Sequence, residues 1–589
     1  MNYLITYALV PFLVFIPGPV MLYGLSRLWR DINMSLLETV VVGAALWSLF
    51  LVLVGFAFGL FLGIAHIALI ITTIGGAVLS SSMLLLSIKG SSRFTLPSRT
   101  YLRSILTRSI TPANLYLVLL VSALITFAVI HPLYYEWDAV TTYLVEARSI
   151  AETGTLYNHY RCYGPEFFSC PGLSLLYAIS FLFSPCPPRA LSISFLILSI
   201  LAIFVLSRHI TRNLAVAASL TFISFPVVIR YMAINCLYAD MPALFYLITG
   251  IFLLIRAHEA EDSFSLAMSS FILASSALFK PINLIFFPLT LAVAFLMIDV
   301  RYLNRLVFVL TSVSAPLAIW VQDFLFYKRD VTFFMLKLPR IIPLTVVAVL
   351  LGILSVYHRS TRRGSRRIIQ DFLIIALSAL PAIALLTACF FTYGGVLSMV
   401  PGYGFVLSLA GLRGRAVELY SLGFLGTLRW HPLLLCIASG APFFVPLVFG
   451  SISMIKRARE DKACFLILTW LLLSLLLWAF FFYNSFEQND YRRLLYPFAP
   501  ILAALVAEGL DDLSRRYNVS PPTMLTLFST FLAISQLYVW FIALGSPIQS
   551  LTSIGANISI LARGEDLVVF MGLFTFFLLL PKLLILIFC

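Results

Sequence analysis

The sequence predicts an all-α, polytopic integral membrane protein with about 17 transmembrane helices and further juxtamembrane helices on the external side. Hydrophobic residues make up 61% of the chain and charged residues only 11%, whereas a soluble domain carries about 25% charged residues. The apolar residues are grouped in runs of roughly 17–23, the length that crosses a hydrocarbon core. A mean hydropathy of +1.02 agrees with both observations. A soluble fold of this length could not bury so much apolar surface.

The centres of the apolar runs give the positions of the predicted spans. They lie near residues 12, 50, 75, 123, 198, 221, 248, 272, 290, 315, 349, 380, 443, 472, 503, 533 and 577. Successive spans cross the membrane in opposite directions, so the loops between them fall alternately on its two sides. The composition of each loop therefore bears on the orientation of the whole chain.

Basic residues in the loops predict that orientation. Loops 89–113, 357–368 and 455–462 are rich in Lys and Arg and fall on one side of the membrane. Summed over all loops, that side carries 24 Lys and Arg residues and the other side carries 15. Basic loops face the cytoplasm, so we predict a multi-pass protein of the cell membrane with an external N-terminus and a cytoplasmic C-terminus. The net charge of +14 then reflects topology among membrane lipids and does not indicate a nucleic-acid partner.

The first external loop, residues 134–190, contains two predicted helices. Residues 137–157 carry apolar side chains at helical spacing, and Gly154 is the predicted stop. Residues 172–184 form an apolar segment that is too short to span. We interpret both as helices on the outer membrane surface; a short span at 172–184 is the alternative and would invert the topology downstream. One disulfide could form between two of the three cysteines of this loop if the loop faces an oxidising compartment. The three are Cys162, Cys170 and Cys186.

Two carboxylates stand where the fourth predicted span leaves the membrane. Glu136 and Asp138 are two residues apart, and ionisable residues at or near membrane depth are candidates for function. A partly desolvated carboxylate can act as a general base or hold a cation. The structural alternative is a solvated loop acid, or a helix N-cap at Asp138.

An acid and a base lie at the external ends of the seventh and eighth predicted spans. Asp240 stands in the segment Tyr-Ala-Asp-Met-Pro, where capping of the following helix is the alternative role because Pro242 suits a first helical turn. Lys280 stands in the segment Phe-Lys-Pro. Its ammonium group could bind a phosphate as a point charge or could satisfy carbonyls at the end of a helix.

A pair of arginines on the external side is an exception to the predicted excess of positive charge in the cytoplasmic loops. Arg492 and Arg493 follow Tyr491 on the external side, with Glu487 and Asp490 just upstream. The planar guanidinium group suits phosphate, and a local ion pair with the neighbouring acids is the alternative.

All four sites fall at helix ends on one membrane face. Acids and cations in that arrangement favour a lipid-phosphate substrate and a nucleophile that must lose a proton.

The order of these motifs resembles the C-type (GT-C) glycosyltransferase superfamily, and within it the protein-mannosyltransferase and aminoarabinose-transferase branch. The likeness covers roughly residues 114–300 and, more weakly, 480–510. Each motif is short, and their order along the chain is the specific feature. The matching motifs are Trp137-Asp138, Cys170-Pro171-Gly172-Leu173, Arg189, Tyr238-Ala239-Asp240-Met241-Pro242, Phe279-Lys280-Pro281 and Arg493-Leu494-Leu495-Tyr496-Pro497.

The resemblance implies a role for each matching residue. Asp138 aligns with the first-loop aspartate that is the catalytic base in the family. Asp240 matches the family's acid in the next external loop. Lys280, together with Arg492 and Arg493, matches the basic residues near the donor phosphate.

The sequence also departs from the family pattern. Many members carry a second acid directly after the first, but Ala139 occupies that position and Glu136 is the candidate substitute. Some members carry an acid and a base before the surface-helix proline, where this chain has Ser169-Cys170. The further candidates for contact with substrate are Glu166, Tyr163 and Tyr491.

The function that the resemblance implies is transfer of a hexosyl or pentosyl group from a polyprenyl-phosphate-linked donor to a protein, lipid or glycan acceptor. Transfer would occur at the external face with inversion, and Asp138 would be the base. We divide the chain into an extra N-terminal three-span segment (1–113), a GT-C-like catalytic module (114–300) and a variable C-terminal module (301–589). The sequence predicts no specific cofactor, and it leaves open a divalent metal cation.

Two other classes of function are considered. A transporter or flippase of lipid-linked saccharide would carry charged residues near the bilayer midplane on broken helices, whereas the informative charges here lie at one face. A glycan polymerase or ligase would use the second long external segment, 391–431, which holds Arg413, Arg415 and Glu418. Release of a lipid phosphate from a labelled donor distinguishes the transferase from the transporter.

Overall fold

The computed structural model contains sixteen α-helices and no β-strand in the residues that it describes. Those residues are 2–28, 34–90, 111–130, 142–156, 171–183, 188–211, 214–224, 237–280, 283, 286, 365–393, 441–482 and 496–545. The first eight helices are α1 (Asn2–Phe15), α2 (Pro17–Leu28), α3 (Leu36–Phe61), α4 (Ala65–Gly90), α5 (Pro112–Ile130), α6 (Leu144–Thr153), α7 (Gly172–Phe183) and α8 (Arg189–Ile210). The next eight are α9 (Ala215–Ser224), α10 (Asp240–Ala260), α11 (Ser263–Ser276), α12 (Ser365–Tyr393), α13 (Ala441–Arg457), α14 (Lys462–Phe482), α15 (Phe498–Arg516) and α16 (Pro521–Gly545). The all-α prediction is confirmed for this part of the chain.

Several helices have the length and composition of membrane spans. Every predicted span centre lies in a helix except those near 290, 315, 349 and 577, which fall outside the described residues. The total of about 17 spans therefore stays a prediction. Within the described ranges, five segments are long and apolar enough to cross a membrane: Leu9–Ser26, Leu36–Phe61, Ala65–Leu85, Arg189–Ile210 and Asp240–Ala260.

Short polar sequences fix where the apolar helices begin. Ser35 and Glu38 form a reciprocal capping box at the start of α3, with Ser35 N donating to Glu38 Oε2 at 2.8 Å. The carboxylate of Asp262 caps α11 and accepts a hydrogen bond from Phe264 N at 2.9 Å. These caps satisfy backbone N–H groups that would otherwise lack partners. They also mark the turns between consecutive apolar runs.

Helix α10 lies at the centre of the helices described here, and nearly all of its residues are buried. It packs against α8, α11 and α3. The hydroxyl groups of Ser48 on α3 and Tyr246 on α10 are 2.9 Å apart. The rings of Phe15 on α1 and Phe195 on α8 meet edge to face, with centroids 4.9 Å apart. The N-terminal segment thus shares one hydrophobic core with the module that follows it.

The two ends of α10 carry different groups of polar residues. Near its last turn, Arg256 donates to Glu38 of α3 at 3.1 Å, and His209 of α8 lies 2.9 Å from Glu259. The first residue of α10 is Asp240, about 30 Å away along a helix of this length. Helix α3 begins beside the last turn of α10. The other end of α3, where it turns into α4, therefore lies at the end of the bundle where Asp240 is.

The two helices predicted in the first external loop are present. Helix α6 ends where Gly154 adopts a left-handed conformation with φ of 75°, as the sequence predicts. Helix α7 spans twelve residues from Gly172. Residues 172–180 are all buried, so the interpretation of α7 as a helix on the membrane surface is wrong. Protein covers every side of this stretch, as is typical of a helix that is mostly apolar all round.

Candidate functional site

The structure describes two of the predicted site residues, Asp240 and Lys280. The others stay predictions, because they lie outside the described residues. Those are Glu136, Asp138, Tyr163, Glu166, Tyr491, Arg492 and Arg493, and the three loop cysteines Cys162, Cys170 and Cys186 lie outside as well.

Asp240 and Lys280 form an ion pair at one end of the bundle. Lys280 Nζ donates to Asp240 Oδ1, although the two residues are 40 positions apart in the sequence. Helix α10 has Ala239 as its N-cap residue and Asp240 as its first residue, so Asp240 does not occupy the N-cap position. The side chain of Asp240 is 1% exposed and that of Lys280 is 16% exposed.

Two further residues complete this site. The ring of Tyr496 lies beneath Lys280, with Nζ 4.7 Å from the ring centroid. The Tyr496 hydroxyl donates to Asn283 Oδ1, and Asn283 Nδ2 donates to the carbonyl of Ala243 at 3.0 Å. Both side chains are fully buried. We call Asp240, Lys280, Asn283 and Tyr496 the ion-pair cluster. The sequence indicates Tyr496 only as part of the Arg493–Pro497 motif and gives no signal for Asn283.

Tyr496→Phe is predicted to keep the ring beneath Lys280 but to lower the stability of the protein. The substitution leaves the buried oxygen of Asn283 without its hydroxyl donor, which typically costs about 1–3 kcal/mol. The apparent melting temperature of the detergent-solubilised protein measures the effect. Tyr517→Phe is the matched control, because Tyr517 is 69% exposed. Equal melting temperatures for Tyr496→Phe and the control would remove the hydrogen bond from the account.

The start of α7 lies beside the ion-pair cluster. Gly172 N donates to the carbonyl of Leu278 at 3.0 Å, and Leu278 is two residues before Lys280. A Cβ atom at Gly172 would lie 2.6 Å from that oxygen, so only glycine allows this approach. The Pro171-Gly172 motif is thereby joined to the segment that carries the predicted phosphate-binding lysine.

A buried carboxylate joins α6 to α7. Glu146 Oε2 accepts a hydrogen bond from Ser174 Oγ at 2.8 Å, and both side chains are buried. The helical spacing of residues 137–157 gives no tertiary partner for Glu146, so the sequence does not predict this contact. Leu144, the first residue of α6, follows Asp138 by six residues. Helix α6, in the described part of the first external loop, therefore lies at the same end of the bundle as Lys280.

The charges of the cluster decide what it can do chemically. In an apolar environment each member of the pair stabilises the charged form of the other. Asp240 is closed to solvent, whereas part of Lys280 is exposed. Lys280 is therefore the member of the pair that an anionic ligand can approach. A carboxylate beside it competes with that ligand for the same cation.

A metal site is not visible in the described ranges. Among those residues, no group of three His, Cys, Asp or Glu side chains has the arrangement to hold a metal ion. The predicted acids of the first external loop, Glu136 and Asp138, lie outside the described residues. A divalent cation at that position stays an open prediction.

Comparisons with known proteins give no assignment at the level of sequence. No protein-family profile and no curated protein matches the chain. Among solved structures, the chain is similar to the archaeal oligosaccharyltransferase AglB from Archaeoglobus fulgidus in complex with an inhibitory peptide and a dolichol-phosphate. The two share 14% identity with a TM-score of 0.39, over 72% of this chain and 55% of that one.

The apo form of the Archaeoglobus fulgidus oligosaccharyltransferase gives a similar result. The identity is 14% and the TM-score is 0.35, over 75% of this chain and 56% of that one. The chain thus spans about half the length of these two proteins.

Proposed function

We propose that this chain is a membrane glycosyltransferase of the GT-C type. In this proposal it transfers a sugar from a polyprenyl-phosphate-linked donor to a hydroxyl group of a protein, lipid or glycan acceptor at the external membrane face. The branch that uses monosaccharide donors, with the protein mannosyltransferases and aminoarabinose transferases, is the one whose motif order the sequence resembles.

The observation that supports the proposal is the meeting of four motif segments at one end of the bundle. Asp240 contacts Lys280, Lys280 contacts Tyr496, and Gly172 bonds to Leu278 beside Lys280. These residues come from distant parts of the sequence. A transporter with its site near the bilayer midplane gives no reason for these motifs to converge at helix ends.

The cations of the site would receive the donor phosphate. Lys280 is the partly exposed cation of the ion-pair cluster. Arg493 precedes Tyr496 by three residues, a separation of at most about 11 Å along an extended chain. Arginine and lysine together supply charge-assisted hydrogen bonds to a phosphate. We propose that Lys280, Arg492 and Arg493 share this task.

The proposed reaction is a single displacement at the anomeric carbon. The acceptor oxygen forms a bond to that carbon, and its proton passes to the carboxylate of Asp138. The bond between the anomeric carbon and the phosphate oxygen breaks, and the polyprenyl phosphate leaves with the electron pair. Attack from the side opposite the phosphate inverts the configuration. The cations stabilise the negative charge that grows on the leaving group.

The first test is Asp138→Asn in the full chain. Purified protein in lipid vesicles would be incubated with polyprenyl phosphate carrying a labelled sugar, and released polyprenyl phosphate would be measured. Loss of a general base typically lowers the rate by about 10²–10⁴-fold, so release should fall by that factor.

Glu152→Gln is the matched control, because Glu152 lies in the same external segment and its side chain is 55% exposed. It should release polyprenyl phosphate at the wild-type rate. Near-normal release by Asp138→Asn rejects the assignment of the base. Passage of the intact donor across the vesicle membrane without release of phosphate rejects the transferase and favours a flippase.

A further inference from the structure

The end of α6 rests on the turn between α3 and α4. Ala65 N, at the start of α4, donates to the carbonyl of Gly154 at 2.8 Å. Gly154 has a left-handed backbone, and a Cβ atom there would lie 2.0 Å from His66 Nδ1 and 2.6 Å from the carbonyl of Gly63. The helix of the external loop and the N-terminal segment therefore meet with no room for a side chain. The bond also satisfies the first backbone N–H of α4.

The chain after α6 continues this contact. Leu156 is 4% exposed, and a Cβ atom at Gly59 of α3 would lie 2.9 Å from Leu156 Cγ. Thr155 lies next to Gly63, with its methyl group 3.5 Å from the position of a Cβ atom there. Helix α6 is thus held at its C-terminal end by residues of both α3 and α4.

The other external-loop helix is held by the same N-terminal segment. Helix α7 packs against α3 and α4, and a Cβ atom at Gly55 of α3 would lie 3.1 Å from the side chain of Leu175. Between the two short helices, Ser174 donates to the buried carboxylate of Glu146 at 2.8 Å. Gly172 then connects α7 to Leu278, next to Lys280. A continuous series of contacts runs from α4 through α6 and α7 to the ion-pair cluster.

We infer that the extra N-terminal helices α3 and α4 position the first external loop. The positioning residues on the loop are Gly154, which contacts α4, and Glu146 and Ser174, which join α6 to α7 by a hydrogen bond. This inference rests on the proposed function. In this inference α3 and α4 act on the position of the loop and not on the bonds that form and break. They fix the helix that follows Asp138 relative to Lys280.

Helix α6 needs this support because it is short. It has ten residues, and isolated helices of fewer than about 12–15 residues are marginal in water. Its position must therefore come from tertiary contacts. In a displacement reaction the base and the phosphate-binding cation act on the same substrate, and a misplacement of about 1 Å can lower the rate about 10²-fold.

The test compares Gly154→Ala with Ser174→Ala in the full chain. Ser174→Ala removes only one hydroxyl group and keeps a test available if Gly154→Ala fails to fold. We expect kcat for release of polyprenyl phosphate to fall about 10-fold or more in each variant. Equilibrium binding of polyprenyl phosphate itself should stay within about twofold of wild type, because α10 and the chain around Lys280 carry the proposed phosphate site.

Gly75→Ala is the matched control, because no atom of the described residues outside its own helix turn lies within 4 Å of a Cβ atom at that position of α4. Hydrogen exchange of the amides of 144–153 is the second readout, and it needs no enzymatic activity. Faster exchange there in both variants, but not in the control, supports positioning. The inference is overturned if hydrogen exchange and kcat are both unchanged in the variants. It is also overturned if binding of polyprenyl phosphate falls by the same factor as kcat. Absence of release by the wild-type protein rejects the proposed function instead, and the exchange result then still decides whether α6 is held by these contacts.

Discussion

Lys280→Met is expected to reduce transfer from the donor by about 100-fold or more and to destabilise the protein at the same time. The ammonium group contacts the buried carboxylate of Asp240 and lies over Tyr496. Removal of one member of a buried ion pair typically costs about 3–5 kcal/mol. Removal of one preorganised electrostatic donor typically lowers kcat by about 10²–10³-fold. Release of polyprenyl phosphate and the apparent melting temperature measure the two effects separately.

Asp240→Asn should affect binding in the opposite direction. This variant keeps the cation and removes the carboxylate that competes with a phosphate for Lys280. We therefore expect tighter binding of polyprenyl phosphate together with a lower melting temperature. Unchanged or weaker binding would contradict the competition between Asp240 and the lipid phosphate.

The variant with both substitutions, Asp240→Asn and Lys280→Met, separates stability from function. It contains no isolated member of the pair, so its melting temperature should recover most of what each single variant loses. Its transfer activity should stay as low as that of Lys280→Met. Lys456→Met, at an exposed lysine of α13, is the control for loss of a positive charge. A double variant that melts no higher than the single ones would show that the pair does not stabilise the fold.

The parts of the fold that the sequence predicted correctly depend on local chemistry. Gly154 was recognised as a helix stop because glycine adopts left-handed backbone angles at little cost, and its φ is 75°. The apolar run that begins at Gly172 predicts the start of α7, and the helix begins at that residue. Asp240 and Lys280 are candidates because charges at the ends of apolar helices are rare; the structure pairs them, and their roles stay predictions. Each of these predictions used only residues that are neighbours in the sequence.

The parts that were missed depend on distance in space. The Tyr496–Asn283 pair joins residues 213 positions apart, and the Glu146–Ser174 pair joins residues 28 positions apart. In the sequence each of these residues is one polar side chain in an amphipathic or apolar stretch, and helical periodicity gives no tertiary partner. The length of the apolar run at 172–184 indicates that it is too short to span. Whether such a helix lies on lipid or inside protein depends on the helices around it, and these were not known.

Gly509→Ala is expected to disrupt the packing of α13 against α15. A Cβ atom at Gly509 would lie 1.7 Å from the carbonyl oxygen of Pro446, and one at Gly450 would lie 1.8 Å from that of Leu505. Alanine favours an isolated helix over glycine by roughly 0.5–1 kcal/mol. The sign of the change is nevertheless set by the overlap, because the opposing atom is backbone and cannot rotate away.

The expected loss of stability is about 3 kcal/mol, at the upper end of the range for overpacked sites. Separation of the two helices would also lengthen the bonds of Glu508, which is buried and accepts from Ser453 and Arg457, both at 2.7 Å. Less folded protein after solubilisation and a lower apparent melting temperature should follow. Gly75→Ala adds the same methyl group in open space and should melt at the wild-type temperature or slightly above it.

The same variant should weaken the candidate site. Helix α15 begins at Phe498, two residues after Tyr496, and Tyr496 lies under Lys280. A displacement of α15 therefore reaches the ion-pair cluster through the backbone. In the fraction of Gly509→Ala that remains folded, we expect slower release of polyprenyl phosphate than in Gly75→Ala. Full activity in that folded fraction would mean that the position of Tyr496 is set by its bond to Asn283 and not by the packing of α15.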